Sequence, residues 1–440
     1  MSQKACEHQH IIMFAPCPKA YLPLLALIAL VIYGFPLLQG CSMSSAKSDH
    51  SASRNSGSHT DPRMTLRQAS FPSKESEVLM QILQTDPLLR DYIENSERYR
   101  IQIIFTQIER KPSNRPRLIN SSFHQDEHYY YPASLVKLPI ALFALERLKE
   151  LGLSKENQFK IVPANQCSQY PADSCNSVQE CIEQIFIYSN NDAYNRLFEF
   201  LGQDRINNRL RTLGYQGRIH RRFKPGCGGD LGDTTGAVTF FDQAGNIRHQ
   251  QASRTARHVA TPPRGDMRVG RKTRTALGTL NEPMDFSDKN YLPLGDLHQM
   301  LIALVEPWVA AEQHRFSISE KDRAFLLKTM AMRPRDAGGS QPDSFRKYLL
   351  VGGLERMPHD LQIMNKVGLS YGFVSDVAYI RDMSQGVDFF LSASIYTNKN
   401  QIMNDGQYEY ETIAYPFMRA LGQAVLRYMR DSARDTSVDH

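Results

Sequence analysis

Ser134 and Lys137 place a hydroxyl and an amine at i and i+3 within the apolar stretch YPASLVKLPIALFALERLKELG. Residues at this spacing lie on one face of a helix, so the Lys137 amine is expected to reach the Ser134 hydroxyl. A serine hydroxyl needs a base to take its proton, and a desolvated lysine can lose its own proton near neutral pH. The pair predicts nucleophilic catalysis, although S-x-x-K also occurs by chance and further residues must support it.

A buried helix is expected to carry this pair. Apolar residues recur at helical spacing behind it, and Gly152 is the predicted C-cap; these residues are Leu138, Leu142, Leu145 and Leu148. Pro139 lacks the N–H that would bond the carbonyl of Leu135, which a helix tolerates only near its start. The helix is therefore predicted to begin at Ser134.

The first 40 residues predict an export signal. Tyr21 to Leu38 is apolar, follows Lys4 and Lys19, and ends in Leu-Gln-Gly-Cys. The alternative is a retained transmembrane anchor. The stretch resembles a bacterial lipoprotein signal, which implies lipidation of Cys41 and a place on the periplasmic face of a membrane. The absence of an aspartate after Cys41 implies the outer membrane.

The rest of the chain divides into a tether and a folded domain. A serine-rich segment without apolar periodicity follows Cys41, so residues 41–75 are predicted to be a flexible tether. The composition of the 440-residue chain, with 41% hydrophobic and 22% charged residues, is typical of a globular protein, and residues 76–435 are predicted to form one domain. A net charge of +6 without a dominant basic run argues against a nucleic-acid partner.

Cysteines remain in the exported part once those of the signal and lipid anchor are set aside: Cys167, Cys175, Cys181 and Cys227. An oxidising compartment permits disulfides among them, in any of three connectivities. A metal site is the rival interpretation, but the spacing matches no zinc pattern with a close histidine pair. For Cys181, which falls on an apolar helical stripe, a buried free thiol is a further alternative.

Periodicity predicts the elements of the folded domain. The predicted helices are Glu77 to Asn95, Val178 to Ile187, Ala193 to Leu201, Leu297 to Val305, Lys321 to Met332 and one containing Phe417 to Tyr428. The predicted strands are Arg100 to Ile108, Leu361 to Asn365, Phe373 to Ile380 and Val387 to Tyr396. Strands near both ends with helices between them imply one sheet, an inserted helical subdomain and a cleft where the two meet.

A long basic segment, residues 217–281, interrupts this pattern. It carries many basic residues: Arg221, Arg222, Lys224, Arg254, Arg257, Arg264, Arg268, Arg271 and Arg274. One interpretation is a solvated insertion. The other is a basic rim that attracts carboxylate-bearing substrates or anionic polymers.

Three short motifs follow one another in the chain. Ser134-x-x-Lys137 precedes Ser189-Asn190-Asn191, which lies in an interhelix loop with Asp192 able to cap the next helix. Lys366-Val367-Gly368 comes last, on a strand. This order resembles the S-x-x-K, S-D-N and K-T-G motifs of the penicillin-binding protein and class A β-lactamase superfamily. The resemblance implies an α+β fold with a five-stranded antiparallel sheet flanked by helices, plus an all-helical subdomain.

The resemblance also implies a role for each residue. Ser134 would be acylated, Lys137 would accept and return its proton, and Ser189 would relay a proton to the leaving nitrogen. Asn191 would hold the substrate amide, and Lys366 would bind a substrate carboxylate. Gly368 belongs to the same strand motif, and the N–H groups of Ser134 and Leu369 would form the oxyanion hole. The alternative is that Ser189 and Asn191 only cap a helix and Lys366 is a solvated edge lysine.

Two departures from the family pattern concern Val367 and the deacylating base. Val367 lacks the usual hydroxyl, so one hydrogen bond to a substrate carboxylate, worth about 1.5 to 3 kcal/mol, is missing. No glutamate lies between Glu199 and Glu282, and the usual E-x-x-L-N sequence is absent. Glu282 is the best remaining candidate for the base, and Asp230 and Asp233 are weaker ones.

Two classes of function remain. One is an amide hydrolase that forms an acyl-serine, either a β-lactamase or a D-alanyl peptidase or esterase of the cell envelope. The other is a protein that binds peptidoglycan or β-lactams without turnover. The complete Ser/Lys/Ser/Lys set favours the hydrolase, acting as a monomer on a β-lactam or peptidoglycan-derived peptide, without a metal or other cofactor.

Overall fold

The computed structural model describes residues 73–110, 115–171, 174–224, 232–257 and 265–438, all within one compact unit. Cys41 and the predicted signal lie outside these residues, as do Cys227 and Asp230. The α-helices are α1 Ser73–Thr85, α2 Pro87–Glu94, α3 Ser96–Tyr99, α4 Lys137–Leu151, α5 Val178–Ile187, α6 Asn191–Leu201, α7 Gln203–Thr212, α8 Leu294–Val305, α9 Glu320–Ala331 and α10 Tyr415–Val438. Of the helices in the described part of the chain, none has the length and apolar character needed to cross a membrane.

The strands form one large sheet and several small ones. In chain order they are β1 Gln102–Glu109, β2 Arg117–Phe123, β3 Gln158–Val162, β4 Thr234–Thr235, β5 Ala237–Phe241, β6 Ile247–Gln251, β7 Arg254–Thr255, β8 Arg268–Val269, β9 Lys272–Thr275, β10 Gly278–Leu280, β11 Met284–Asp285, β12 Leu361–Ser370, β13 Phe373–Asp382, β14 Val387–Tyr396 and β15 Ile402–Met403. The large sheet has the order β12-β13-β14-β1-β2, with every neighbouring pair antiparallel. The predicted five-stranded sheet, built from both ends of the domain, is confirmed.

The large sheet lies between two hydrophobic cores. One face packs against α1, α2 and α10, and the other against α4, α5, α6 and α8. Side chains alternate between the faces of a strand, and on β12 Ile363 and Val367 join the first core whereas Met364 joins the second. Lys366 and Gly368 therefore lie on the α4 side of the sheet, the side that carries Ser134.

The prediction of one helix from Glu77 to Asn95 is wrong, because the segment breaks at Asp86. Pro87 disfavours a helical conformation at the residue before it and cannot donate a backbone hydrogen bond. Asp86 instead caps α2, accepting a hydrogen bond from Leu88 N at 3.0 Å. The remaining predicted helices appear with ends shifted by a few residues, and α4 ends at Gly152 as predicted, with φ of +64°.

The basic segment is more ordered than the solvated insertion that one interpretation predicted. β5 pairs with β3 and β6, and Val238 and Phe240 of β5 are fully buried. Residues of β5 lie in the same core as α4, α5, α6 and α8. The predicted all-helical subdomain is therefore not purely helical. Arg221 and Arg222 are buried and cannot belong to a basic rim, whereas Arg257, Arg268, Arg271 and Arg274 are exposed. The interpretation as a rim that attracts anionic groups stays a prediction.

The structure joins Cys175 to Cys181 in a disulfide with a Cα–Cα distance of 5.2 Å. Cys181 is therefore not the buried free thiol that the alternative proposed. Cys167 is disulfide-bonded as well. Disulfide chemistry, rather than metal ligation, accounts for these three cysteines.

Candidate active site

Ser134 lies in a 3₁₀ turn, Ala133–Val136, that leads into α4. The α-helix itself begins at Lys137, three residues later than predicted, although residues i and i+3 also align in a 3₁₀ helix. Ala133 has φ of +45°, a left-handed conformation that costs a non-glycine residue roughly 1–2 kcal/mol. Ser134 is half-buried and Lys137 is fully buried, so the turn presents the serine while the lysine lies beneath it.

Gly368 allows β12 to lie directly against this turn. A Cβ at Gly368 would lie 2.3 Å from the carbonyl oxygen of Pro132, so any side chain would push the strand away from Ser134. β12 is an edge strand of the large sheet, and the outer backbone groups of an edge strand are not used for sheet pairing. The predicted oxyanion donor Leu369 follows Gly368 on this edge.

Ser189 lies in the loop between α5 and α6 and bridges two buried lysines. Lys366 Nζ donates to Ser189 Oγ at 2.9 Å, and Lys137 Nζ lies 3.3 Å from the same oxygen. Lys137 Nζ also donates to Ser189 O at 2.5 Å and to Asn191 Oδ1 at 2.7 Å. The structure thus brings Lys137, Ser189, Asn191 and Lys366 into one hydrogen-bonded group.

The loop holds Ser189 in a left-handed conformation, with φ of +56°. Asn190 caps α6 by accepting a hydrogen bond from Ala193 N at 3.0 Å. The predicted cap, Asp192, instead lies inside the first turn, because α6 begins at Asn191. The cap fixes the loop in which Ser189 lies.

No hydrogen bond joins Lys137 Nζ to Ser134 Oγ among the described residues. The amine is directed towards the α5–α6 loop instead. A neutral amine has two N–H donors, which Ser189 O and Asn191 Oδ1 can accept, and one lone pair that remains for a proton. Catalytic hydrogen bonds are often long in the absence of substrate, so this geometry is compatible with Lys137 as the base.

The electrostatics of the group favour a neutral Lys137. Burial lowers the pKa of Lys137 well below its usual value, and the charges of Lys366 and Arg346 lower it further. The pKa of Lys366 is also lowered, by burial and by Arg346, but Asp376 opposes this effect. The charge of Asp192 opposes these effects on Lys137, but burial is the largest of them and disfavours the charged amine, so the neutral form that can accept a proton is favoured.

Arg346 is a site residue that the sequence motifs did not reveal. It has φ of +66°, and its Nε donates to Tyr188 O at 3.4 Å, beside the loop of Ser189. Asn365 Nδ2 donates to Arg346 O at 3.0 Å, which ties the segment to β12 next to Lys366. No local motif surrounds Arg346, so its place follows only from these long-range contacts.

A buried acid supports this segment from the other face of the sheet. Asp376 accepts hydrogen bonds from Tyr348 N at 2.9 Å, from Leu349 N at 3.0 Å and from Asn365 Nδ2 at 2.7 Å. Lys347 Nζ donates to Asn365 Oδ1 at 3.0 Å, and burial lowers the pKa of Lys347 to about 8. This network positions Arg346 and the lysine-bearing strand together.

Phe223 is a further neighbour of the Lys137 amine. The Lys137 Nζ lies 5.4 Å from the centre of the Phe223 ring, which is within cation–π range. Asn195 on α6 holds the Phe223 backbone, accepting from its N–H at 2.7 Å and donating to its carbonyl at 3.2 Å. An aromatic ring, without a proton acceptor, therefore faces the amine here.

Glu199 anchors the same segment and is not available as a base. Its Oε1 accepts from Arg222 Nε at 2.6 Å and from Tyr170 OH at 2.8 Å, and its Oε2 accepts from Gly236 N at 2.7 Å. The side chains of Glu199 and Arg222 are 0% and 1% exposed. This buried, fully bonded carboxylate has a structural role beneath Phe223.

The structure does not bring the predicted base Glu282 to the group. Glu282 is exposed in the loop between β10 and β11, where its carbonyl accepts from Thr273 Oγ1 at 2.9 Å. Within the described ranges, its side chain makes no recorded contact with Ser134 or Lys137. Asp233 is also exposed and instead lines a cavity of about 420 Å³ with residues of α7.

Val367 is 2% exposed and packs in the core between the sheet and α10. Its side chain therefore lies on the face of β12 opposite Lys366. Because this side chain is buried in the core, an apolar residue is favoured at the position where the motif usually has a hydroxyl.

Comparison with known proteins gives a family match for part of the chain. Residues 89–265 match the model of a family described as the β-lactamase enzyme family. One similar solved structure is a β-lactamase from Sphaerobacter thermophilus DSM 20745, with 12% identity, a TM-score of 0.45 and coverage of 80% of this chain and 97% of that one. Another is a β-lactamase from Desulfarculus baarsii DSM 2075, with 14% identity, a TM-score of 0.46 and the same coverages, 80% and 97%. No curated protein matches the chain.

The matched segment contains Ser134, Lys137, Ser189 and Asn191, and β12 with Lys366 lies beyond it. Over this segment, which is less than half of the chain, the protein is similar to the β-lactamase enzyme family.

Proposed function

We propose that this protein is a serine hydrolase that opens amide bonds through an acyl-Ser134 intermediate, and that β-lactams are its substrates. The observation that carries the proposal is the Ser189 hydroxyl bridging the buried amines of Lys137 and Lys366, at 3.3 and 2.9 Å. A lone serine–lysine pair has many explanations. A second serine held between two lysines, beside a strained serine turn, provides the proton path that acyl transfer requires.

Acylation follows from the roles of four groups. Ser134 Oγ attacks the substrate carbonyl and loses its proton to neutral Lys137, while the N–H groups of Ser134 and Leu369 stabilise the oxyanion. The protonated Lys137 then returns a proton through Ser189 Oγ to the leaving nitrogen. The C–N bond breaks, and an ester joins the acyl group to Ser134.

The charges around the cleft favour a substrate that carries a carboxylate. Lys366 and Arg346 are close enough that Arg346 lowers the pKa of Lys366. A carboxylate placed between the two cations would relieve their repulsion. Asn191 would hold the amide of the same substrate.

Release of the acyl group is proposed to be slow. Hydrolysis of the ester needs a water molecule and a base, and positioned general bases typically contribute about 10² to 10⁴ in rate. Among the described residues, no hydrogen bond brings a carboxylate to Ser134 or Lys137, and the ring of Phe223 near Lys137 is not a proton acceptor. The same observation favours the second candidate function, a protein that is acylated by β-lactams or peptidoglycan peptides without efficient turnover.

Incubation of the full chain with a fluorescent penicillin, followed by intact-protein mass over time, tests both candidates. A mass increase on the Ser134 peptide that decays over minutes to hours, and that Ser134→Ala abolishes, supports slow hydrolysis. An adduct that never decays supports the non-hydrolytic protein. If no adduct forms but a D-alanyl peptide or ester is cleaved, the substrate is an envelope peptide or ester. No reaction with any of these would contradict the proposal.

We further propose that the protein is anchored to the periplasmic face of the outer membrane through lipidated Cys41, on the basis of the Leu-Gln-Gly-Cys sequence. Cell fractionation of the wild type and of Cys41→Ala tests this proposal. Equal membrane retention of both, with no lipid mass on the wild type, would contradict it.

A further inference from the structure

Two histidines and a glutamate meet at the surface, outside the group around Ser134. They are Glu97 in α3 and His124 and His128 in the loop that follows β2. One ligand atom of each residue, an imidazole nitrogen or a carboxylate oxygen, lies within 4.8 Å of those of the other two. Imidazole nitrogen and carboxylate oxygen are the ligands that Zn²⁺ prefers besides thiolate.

The distances are close to those of a zinc site. Glu97 Oε1 lies 3.2 Å from His128 Nε2 and 3.9 Å from His124 Nδ1. Tetrahedral ligands at about 2.0–2.1 Å from Zn²⁺ are themselves about 3.3 Å apart. The glutamate–His128 pair already has this spacing, and a small rotation of the exposed Glu97 side chain would bring its oxygen closer to His124.

His124 Nδ1 gives a second, independent indication of a ligand. This atom is buried and has no hydrogen-bond partner among the described residues. An unsatisfied buried polar atom requires an explanation, and an unseen water molecule or ion is a common one. A metal ion on the Nδ1 lone pair would satisfy it.

The surrounding structure holds the His124 ring and the backbone of His128. The His124 ring stacks on Phe123 with centroids 4.0 Å apart and an interplanar angle of 9°. Gln102, which is 0% exposed, donates to His128 O at 2.8 Å and accepts from Asp126 N at 2.9 Å. The loop is therefore held from below, as supporting contacts hold the ligands of a metal site.

The local charge is compatible with a cation. A cavity of about 390 Å³ beside the cluster is lined by Glu97, His128 and Tyr129 together with Arg100, Glu127, Asp266 and Arg268. Arg268 is paired with Asp266 at 2.8 Å. Three carboxylates thus stand against two guanidinium groups, and the free space can admit a water molecule as a fourth ligand.

We propose that Glu97, His124 and His128 bind one Zn²⁺ ion, with water in the fourth position. The ion would join α3 to the loop whose continuation, Tyr129 to Ala133, leads into the Ser134 turn. On binding, the ion replaces the proton that His128 Nε2 shares with Glu97, and that proton leaves to solvent or moves to Nδ1 of the same ring. The site takes no part in the proposed acylation.

Zinc titration of the full chain, produced without a histidine tag and stripped with chelator, tests the site. We expect one Zn²⁺ per chain, with affinity at least tenfold weaker in His124→Gln, His128→Gln and Glu97→Gln. The matched control is His359→Gln, which changes an exposed histidine elsewhere and should leave affinity unchanged. Co²⁺ bound at the site should show the visible absorption of a four-coordinate N/O environment, and Glu97→Gln should abolish it.

Glu97→Gln shows whether a loss of binding comes from misfolding. The Glu97 side chain is 75% exposed, so its substitution should leave the core intact. Acylation of this variant by penicillin at the wild-type rate would show an intact fold if the proposed function holds, and an unchanged circular dichroism spectrum would show it in either case. Absence of stoichiometric binding at millimolar Zn²⁺, or binding that survives all three substitutions, would overturn the proposal.

Discussion

The two sides of Lys137 differ in chemistry. On its polar side the amine donates to Ser189 and Asn191, and the Ser189 hydroxyl also accepts from Lys366. Its aromatic side is the ring of Phe223, whose centre lies 5.4 Å from the amine. The first side can move protons, and the second side cannot accept one.

This difference separates the two halves of an acyl-serine reaction. Acylation needs a base, a relay and a carboxylate-binding cation, and the polar side supplies all three. Deacylation also needs a base for water, and no hydrogen bond among the described residues brings a carboxylate to Ser134 or Lys137. The molecule is therefore expected to be better at forming an acyl-serine than at releasing it.

The largest effect is expected for Lys137→Ala, which removes the proposed base from the polar side. Acylation by penicillin should slow about 10²- to 10⁴-fold, the usual contribution of general base catalysis. Stopped-flow or quenched mass measurements give the rate. Lys149→Ala, an exposed lysine on the same helix, is the matched control. A wild-type acylation rate in Lys137→Ala would show that another group takes the Ser134 proton.

A carboxylate on the aromatic side should accelerate release. Phe223→Glu places a proton acceptor next to Lys137, and deacylation should become about tenfold faster or more, because a base for water is supplied. Decay of the adduct mass after removal of free penicillin measures this rate. The matched control is Phe223→Gln, because glutamine has the size of glutamate without its charge. This variant should not accelerate release. Equal decay in both variants would mean that the missing base does not limit deacylation.

Much of this arrangement could be predicted from sequence because the relevant signals are local. The alternation of Val387, Phe389 and Leu391 indicates a strand, and the leucines behind Ser134 indicate a buried helix. The three motifs are short and contiguous, so their residue types could be recognised before their geometry was known. Pro87 is itself a local signal for a helix break, but the helical periodicity of the residues around it predicted one continuous helix.

The residues that were missed are positioned by long-range contacts. Asn365 holds Arg346 from 19 positions away in sequence, and Asn195 holds Phe223 from 28 positions away. Neither partner pair has a motif of its own. The strands between residues 217 and 281 were missed for a related reason, since strands of two to five residues are too short to show a period of two.

Arg346→Gln tests whether Arg346 acts on Lys137 and on the substrate carboxylate. Arg346 lowers the pKa of Lys137, so its removal should raise that pKa. The base works as the neutral amine, so at a given pH more of it would be protonated, and the acid limb of the acylation profile should move to higher pH. Loss of a charged contact to the substrate carboxylate should also raise KM about tenfold.

The control for this variant is Arg356→Gln, an exposed arginine ten residues later in the chain. It should change neither the profile nor KM. If Arg346→Gln raises KM but leaves the acid limb in place, Arg346 binds substrate without acting on Lys137. If both are unchanged, Arg346 does not belong to the site.

The smallest effect is expected for Glu282→Gln. The sequence made Glu282 the best candidate for the deacylating base, because it precedes a segment that resembles the one after the usual catalytic loop. In the structure Glu282 is exposed between β10 and β11. Among the described residues, its side chain has no recorded contact with Ser134 or Lys137. Both acylation and release should therefore stay within about twofold of wild type, as for most surface substitutions away from a site. A release rate that falls by tenfold or more, with acylation unchanged, would show that the loop moves onto the acyl-enzyme. Glu282 would then supply the base that activates the deacylating water.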